Sequence, residues 1–165
     1  MNLKRFARHL FATALRTQRC FPTHTLTAIE QEIRAAEKRH SGELRVAIET
    51  ALDVGALWRG LTPRQRALEV FGRLGVWDTV GNNGVLIYVL LADRDVEIVA
   101  DRGFDGLVHP DEWEAACHAI EQEFRERRFK DGVLVGVRAV SALIERHFPP
   151  QPRDVNELPD RPVIL

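Results

Sequence analysis

The sequence is poor in cysteine and in serine. Its 165 residues contain two cysteines, Cys20 and Cys117, and two serines, Ser41 and Ser141. Because there is also no G-x-S-x-G segment, serine hydrolase chemistry is excluded. The cysteines have neither C-x-x-C nor zinc-ligand spacing, so we interpret them as free thiols of a reducing compartment rather than as a disulfide.

Long apolar runs and an excess of charge of one sign are also missing. No stretch of about 18 apolar residues exists, so no segment is predicted to cross a membrane as a helix. The 23 Lys and Arg residues balance 24 Asp and Glu residues, which leaves a net charge of −1. Nucleic-acid-binding domains are usually basic, so we expect no nucleic-acid partner. With 45% hydrophobic and 28% charged residues, the composition is that of one globular domain.

Residues 1–22 are predicted to form a basic amphipathic helix. The first 20 residues contain five Lys or Arg and no acid, and their apolar residues recur at helical spacing. This helix either lies on the domain or, through residues 1–20, serves as an arm that binds an anionic membrane surface or an unknown protein partner. Its apolar stretch is too short for a secretory signal, so we expect an uncleaved cytoplasmic protein at the periphery of a membrane.

The remaining chain divides into a domain over residues 23–148 and a tail over residues 149–165. The tail holds five of the eight prolines. A segment of this composition buries little apolar surface, so we predict that the tail is poorly ordered.

Three strands are predicted within the domain. Residues 43–49 alternate charged or small residues with apolar ones, which indicates a strand covered on one side, whereas residues 84–91 are apolar throughout, which indicates a strand buried on both faces. Only four residues precede the next strand, 96–100, so these two strands form an antiparallel hairpin. A helix starting at Thr62-Pro63 connects the first two strands and favours a parallel pair. We therefore predict an α/β fold, a three-layer α/β/α sandwich around a small mixed β-sheet.

Oxygen-bearing side chains are predicted to gather at one end of this sheet. The hairpin places residue 101 beside residue 84, so the loops 78–83 and 101–105 should meet, and the first strand begins at the same end. The candidate metal ligands are Glu43, Asp78, Asn83, Asp101 and Asp105. Carboxylate and amide oxygens suit Ca²⁺ or Mg²⁺, although Asp, Asn and Gly are also the ordinary residues of loops.

A second set of polar residues is a candidate for lining a cleft. It consists of Asn82, Arg102, Asp93 and Arg94. The first two belong to the loops just described. Asp93 and Arg94 lie in the hairpin turn, which is expected at the opposite end of the sheet.

Several segments resemble the TPM domain family, which is named after a thylakoid acid phosphatase, a photosystem repair protein and a nematode receptor modulator. The resemblance rests on Gly42-Glu43-Leu44-Arg45-Val46, residues 77–87, Asp93-Arg94, residues 96–103 and Phe129-Lys130-Asp131-Gly132. It covers about residues 25–148 and implies an α/β/α sandwich that sometimes binds calcium, with a debated phosphatase activity. The chain departs from the family in having Asp101 where many members have Gly, and in having Ser41 where Thr is usual.

Two functions are compatible with these features. The first is a non-catalytic interaction domain that assists membrane-associated or repair complexes, with the basic helix and the tail as its contacts. The alternative is a metal-assisted acid phosphatase, a phosphomonoesterase in which an ion held by Asp101, Asp105 and Asn83 polarises a phosphoryl oxygen and Arg102 neutralises developing charge. No nucleophile with an adjacent base is recognisable, which favours the interaction domain.

Overall fold

A computed structural model describes residues 3–12, 14–152 and 155–165. The strands are β1 (Glu43–Glu49), β2 (Gly84–Leu90), β3 (Asp95–Ala100) and β4 (Val163–Ile164). The helices are α1 (Leu3–Leu10), α2 (Ala14–Cys20), α3 (Thr23–Ala36), α4 (Val54–Trp58), α5 (Pro63–Arg73), α6 (Pro110–Arg125) and α7 (Phe129–His147). Short 3₁₀ turns occupy Glu37–Arg39 and Arg102–Phe104.

The strands form one mixed sheet in the order β3-β2-β1-β4. β1 pairs in parallel with β2, and Glu43 lies opposite Gly84. β2 pairs in antiparallel with β3, and Val85 lies opposite Ala100. The predicted parallel pair and the predicted hairpin are therefore both confirmed.

Helices cover both faces of the sheet. On one face, side chains such as Val46, Ile87 and Ile98 pack in a core with residues of α3, α6 and α7. On the other face, Ala47 and Tyr88 pack with residues of α4 and α5. This alternation follows from the period of two along a strand, and it confirms the three-layer α/β/α sandwich.

Strand β1 differs from the prediction of a strand covered on one side, because all seven of its residues are buried. Its charged side chains have partners instead of solvent. Glu49 accepts hydrogen bonds from Arg66, and Arg45 donates to the carbonyl oxygens of Pro159 and Arg161. The alternating pattern shows which side chains of β1 are polar, but it does not show whether they face solvent. Here the polar side chains are buried and hydrogen-bonded to other parts of the protein.

The prediction of a poorly ordered tail is wrong for residues 155–165. Val163 and Ile164 form β4 beside Ala47 and Ile48, and Leu158 is buried. The tail is ordered because the buried charged side chains of β1 need hydrogen-bond partners, and the tail backbone provides them. Residues 153–154 lie outside the described part of the chain.

The predicted single helix over residues 1–22 is two helices, α1 and α2, and residues 1–2 and 13 lie outside the described part of the chain. Both helices contact the domain. Arg5 Nε lies 2.8 Å from an oxygen of Asp93, and His9 Nδ1 accepts a hydrogen bond from the Leu52 amide at 2.9 Å. In α2, the hydroxyl of Thr17 lies 2.5 Å from that of Thr50. None of the helices described is long and apolar enough to cross a membrane.

Candidate functional site

Two loops meet at the end of the sheet where β1 and β2 begin and β3 ends, as predicted. The Asp101 amide donates to the carbonyl oxygen of Gly84 at 2.9 Å, and the Gly103 amide donates to that of Asn82 at 3.0 Å. Arg102 Nε donates to Asn82 Oδ1 at 2.9 Å. One main-chain and one side-chain hydrogen bond therefore join the loops 76–83 and 101–105, and Asp101 is also bonded to the first residue of β2.

Glycines allow these loops to approach so closely. A Cβ atom at Gly84 would overlap the carbonyl oxygen of Val76 and lie 3.0 Å from its carbonyl carbon. A Cβ atom at Gly103 would overlap the carbonyl oxygen of Asn82. The close approach at Gly103 is between the two loops, whereas that at Gly84 brings together the two ends of the loop 76–83. Both fix the position of the polar residues that flank them.

The structure separates the predicted metal ligands into two groups. Glu43 lies at the predicted end of the sheet, but its two oxygens accept hydrogen bonds from the amides of Glu157 and Leu158, each at 3.0 Å. Asp78 and Asp105 are exposed. Within residues 3–12, 14–152 and 155–165, no three His, Cys, Asp or Glu side chains form a group suited to a metal ion. Both carboxylate oxygens of Glu43 are therefore bound to the backbone of the tail.

Asn83 and Asp101 are less exposed than Asp78 and Asp105. Asn83 Nδ2 donates to the Ser41 carbonyl oxygen at 2.6 Å, and Asp101 Oδ1 accepts from the Arg102 amide at 2.8 Å. The side-chain oxygen of Asn83, Oδ1, and the second carboxylate oxygen of Asp101, Oδ2, are buried and have no hydrogen-bond partner among the described residues. A buried polar atom left unpaired costs about 1–3 kcal/mol, and a hard cation would satisfy such oxygens.

The side of the site next to Glu43 is less negative than the sequence indicates. Glu37 Oε1 accepts a hydrogen bond from the Leu44 amide at 3.1 Å. Burial, opposed by this hydrogen bond and reinforced by the carboxylates of Glu43 and Asp160, raises the pKa of Glu37 to about 8. Glu37 therefore carries less negative charge at neutral pH than an exposed glutamate does.

Asp93 and Arg94 lie at the opposite end of the sheet, so the four residues predicted to line a cleft do not share one. A strand of six residues spans about 20 Å, and β3 separates the two pairs. Asp93 contacts three side chains of α1, since Arg5, Arg8 and His9 all approach its carboxylate within 3.2 Å. Arg94 is exposed and has a positive φ of 56° in the turn.

A groove of about 890 Å³, which the sequence did not predict, runs along the outer edge of β3. It is bounded by α6, by residues 104–110 and by Arg64 of α5. We call it the β3–α6 groove. The sequence does contain an indication of this edge, because β3 is the more polar strand of the hairpin. Polar and charged residues are common in strands at the edge of a sheet.

Carboxyl groups cluster at the hairpin end of the β3–α6 groove. Burial and the nearby carboxylates of Glu97 and Glu121 raise the pKa of Asp95 to about 6. Burial, reinforced by the Glu97 carboxylate, raises the pKa of the Cys117 thiol to about 12. The thiol therefore stays protonated at neutral pH, which makes it a weak nucleophile.

The sequence model of the TPM domain matches residues 17–143. The chain belongs to the TPM domain family. Among solved structures, the NMR structure of BA42 from the psychrophilic bacterium Bizionia argentinensis is 32% identical, covers 88% of this chain and 95% of its own, and has a TM-score of 0.76. The N-terminal domain of a P. gingivalis protein is 22% identical, covers 78% of this chain and 81% of its own, and has a TM-score of 0.60, which shows the fold. The comparison with curated proteins gives no match.

The family match begins within α2 of this TPM domain, so α1 precedes the matched residues. The two polar loops and the β3–α6 groove lie inside the match. The molecule thus consists of a domain that matches the family and of an N-terminal helix, α1, which contacts the hairpin end of that domain.

Proposed function

We propose that this TPM domain is a non-catalytic interaction domain that binds anionic membrane surfaces through residues 3–20 and assists membrane-associated complexes. The observation that carries the proposal is the orientation of α1. Leu3 is 72% exposed, Leu10 is 60% exposed and Phe11, just after the helix, is 80% exposed. These residues recur at i, i+7 and i+8, so they share one outward face.

The inward face of α1 is charged. Arg5, Arg8 and His9 contact the carboxylate of Asp93, and His9 is buried. A surface helix normally turns its apolar face to the core, and α1 does the reverse. Its apolar side chains are therefore available to another surface, and contiguous exposed apolar patches commonly mark interaction sites.

Basic residues around the apolar face favour an anionic lipid surface as the occupant. Lys4 and Arg19 are exposed, and residues 1–20 contain no acid. Trp58 is 65% exposed and packs edge-on against Phe6 with ring centroids 6.1 Å apart, which extends the apolar surface. An apolar face with flanking cations is typical of helices that lie in a membrane interface. Anionic lipids are concentrated on the cytoplasmic leaflet, where each Lys or Arg adds about 1 kcal/mol.

Vesicle flotation tests this proposal. We expect the protein to float with vesicles of phosphatidylserine and phosphatidylcholine, and Leu10→Ser combined with Phe11→Ser to weaken binding about tenfold or more, because two apolar side chains no longer enter the interface. Both positions are exposed, so folding should be unaffected. High salt should weaken the binding of both proteins.

The matched control is Val80→Ser. Val80 is 91% exposed but lies in the loop at the other end of the sheet, so vesicle binding should not change. Binding that is equally strong to pure phosphatidylcholine, or that survives the double substitution, would contradict the membrane proposal. If the chain instead bound another protein at high salt, and if Leu10→Ser with Phe11→Ser abolished that binding, the apolar face of α1 would be a protein-binding site.

A divalent cation, Ca²⁺ or Mg²⁺, is part of the proposal as a ligand of the two polar loops. Asn83 Oδ1 and Asp101 Oδ2 support it as buried oxygens without hydrogen-bond partners among the described residues. Asp105 and Asp78 are exposed carboxylates on the same two loops. The cation would join the loops and neutralise their acids.

Calcium titration with thermal melting tests the cation. A ligand at 100 times its dissociation constant adds about 2.7 kcal/mol to stability, so we expect calcium to raise the melting temperature of the wild type. Asp101→Ala with Asp105→Ala should abolish that rise, whereas Asp111→Ala, an exposed acid outside the loops, should keep it. A calcium response that persists in the double variant would place the cation elsewhere. Calcium-dependent hydrolysis of p-nitrophenyl phosphate by the wild type would favour the phosphatase alternative, with Arg102 of the loop 101–105 as its cationic group.

A further inference from the structure

The main chain of β3 is occupied at Ile98, in the middle of the β3–α6 groove. Val96 and Ile98 are only 4% and 5% exposed. The Ile98 amide donates to the sulfur of Cys117 in α6, and the Ile98 carbonyl oxygen accepts a hydrogen bond from Arg64 Nη1 at 2.6 Å. A ligand of this groove must therefore be held by side chains.

The charged side chains of the groove are mainly acidic. Seven of its lining residues are Asp or Glu, and Arg64 is the one Lys or Arg of the lining among the described residues. At the hairpin end, Asp95, Glu97 and Glu121 lie close enough to interact. Burial and the two neighbouring carboxylates raise the pKa of Asp95, and burial, opposed by Arg64 and reinforced by Glu121, raises the pKa of Glu97. These acids therefore repel one another.

The arginines beside this cluster neutralise it only in part. Arg64 lies 3.4 Å from Glu97 and Arg125 lies 3.7 Å from Glu121. The two arginine side chains are 51% and 72% exposed, so water and salt screen their charges. Asp95 Oδ1 is buried and has no hydrogen-bond partner among the described residues. A cationic hydrogen-bond donor inside the groove would satisfy this oxygen and relieve the repulsion.

An apolar wall accompanies the acids. Leu107, Val108 and Trp113 line the groove, and Leu107 is 48% exposed. Trp113 packs edge-on against Phe104, with ring centroids 5.5 Å apart. The lining follows β3 from Asp95 to Asp101, and a strand of this length spans about 20 Å, so the groove is elongated. Its shape suits a long, thin ligand that combines cationic groups with short apolar segments.

We propose that the β3–α6 groove binds a linear aliphatic polyamine. The ammonium groups of the polyamine pair with Asp95, Glu97 and Glu121, and its methylene segments pack against Leu107 and Trp113. A polyamine has no amide groups. A basic peptide in the same groove would bury main-chain amides that find no partner, because the main-chain groups at the middle of β3 are already bonded. The groove therefore favours the polyamine over the peptide.

Calorimetric titration with spermine tests the proposal. We expect saturable binding of spermine to the wild type, and about tenfold weaker binding or less of acetylated tetralysine amide, which carries the same charge but has main-chain amides. In NMR spectra, spermine should shift the amide signals of Glu97 and Glu121 and leave that of Val80, at the other end of the sheet, unchanged. Magnesium ions at the same concentration should not shift the signals of Glu97 and Glu121.

Two matched pairs of variants locate the site. Glu97→Gln with Glu121→Gln should weaken spermine binding about tenfold, whereas Glu32→Gln with Glu145→Gln, which removes the same charge from ion pairs outside the groove, should change it little. Arg64→Ala should strengthen binding, because it removes the cation that competes for Glu97. Its control is Arg128→Ala, which removes an exposed cation outside the groove and should not strengthen binding.

Three results would each overturn the polyamine proposal. These are the absence of saturable binding at millimolar spermine, equally tight binding of the tetralysine amide, and equal losses in the two double variants. Thermal melting without spermine shows that each variant is folded, and the NMR shifts of the wild type test the site without any substitution. The calcium response and vesicle binding should both persist in Glu97→Gln with Glu121→Gln, so this test is separate from theirs.

Discussion

Gly84→Ala should destabilise the folded protein by about 3 kcal/mol, because an added Cβ atom would overlap main-chain atoms rather than a flexible side chain. The overlapped atom is the carbonyl oxygen of Val76. Gly84 is also the first residue of β2 and accepts the Asp101 amide, so moving it would disturb the pairing on which the two polar loops depend. Urea denaturation measures the loss as a lower midpoint at an unchanged slope.

The control for this prediction is Gly72→Ala. Gly72 lies inside α5, and a Cβ atom there would meet nothing within 4 Å. Alanine stabilises a helix interior by up to about 1 kcal/mol relative to glycine, so this variant should be slightly more stable than the wild type. If the two variants shifted the midpoint in the same direction, the close approach at Val76 would not be the cause.

Arg66→Ala should cost about 3–5 kcal/mol, because it leaves a buried carboxylate without its cation. Arg66 donates from Nε and Nη2 to the two oxygens of Glu49, each at 2.9 Å. The side chain of Glu49 is only 9% exposed. Its remaining partner would be Tyr88, whose hydroxyl donates to Glu49 at 2.6 Å; burial, reinforced by Glu49, raises the pKa of this tyrosine.

Two further variants separate the ion pair from the loss of packing. Glu49→Gln with Arg66→Met removes both charges at similar volume, so we expect it to cost less than Arg66→Ala alone. Arg128→Ala breaks the exposed pair with Glu123, whose side chains are 50% and 25% exposed, and should cost less than about 1 kcal/mol. An Arg66→Ala loss as small as that of Arg128→Ala would show that water reaches Glu49.

The hairpin and the meeting of the polar loops could be predicted because both depend on short-range patterns. The apolar run 84–91 and the four-residue break set the register of β2 and β3. That register determines which residues lie beside Gly84. The start of α5 was equally local, since Thr62 and Gln65 form the reciprocal hydrogen bonds of a capping box.

The burial of β1 could not be predicted from its own residues. Arg45 and Glu43 resemble solvent-facing residues of a half-covered strand, and their partners lie 114 or more residues further along the chain. At the candidate site, the hydrogen-bond partners of the Glu43 side chain could not be predicted for the same reason. The strand pattern places its backbone at the right end of the sheet, but only the tail shows which partners its side chain has.

The orientation of α1 was also beyond the reach of the pattern. Helical spacing predicts an apolar face and a charged face, and the usual assumption turns the apolar face inward. Asp93 reverses this assumption, because a buried acid in the hairpin turn needs cations and α1 supplies them. The orientation of α1 therefore depends on Asp93, which contacts the helix but is far from it in the sequence.

The position of β4 also constrains when the protein can fold. Ribosomes add about 5–20 residues per second, so several seconds separate the synthesis of β1 from that of the carbonyl groups that bind Arg45. During that interval the pair of β1 and β2 has an open parallel edge that carries unmatched charges. Charges on an open edge discourage pairing with other chains. We therefore expect Arg45 and Glu43 to oppose pairing of this edge with other chains until the tail is made, and in the finished protein they bind the tail backbone.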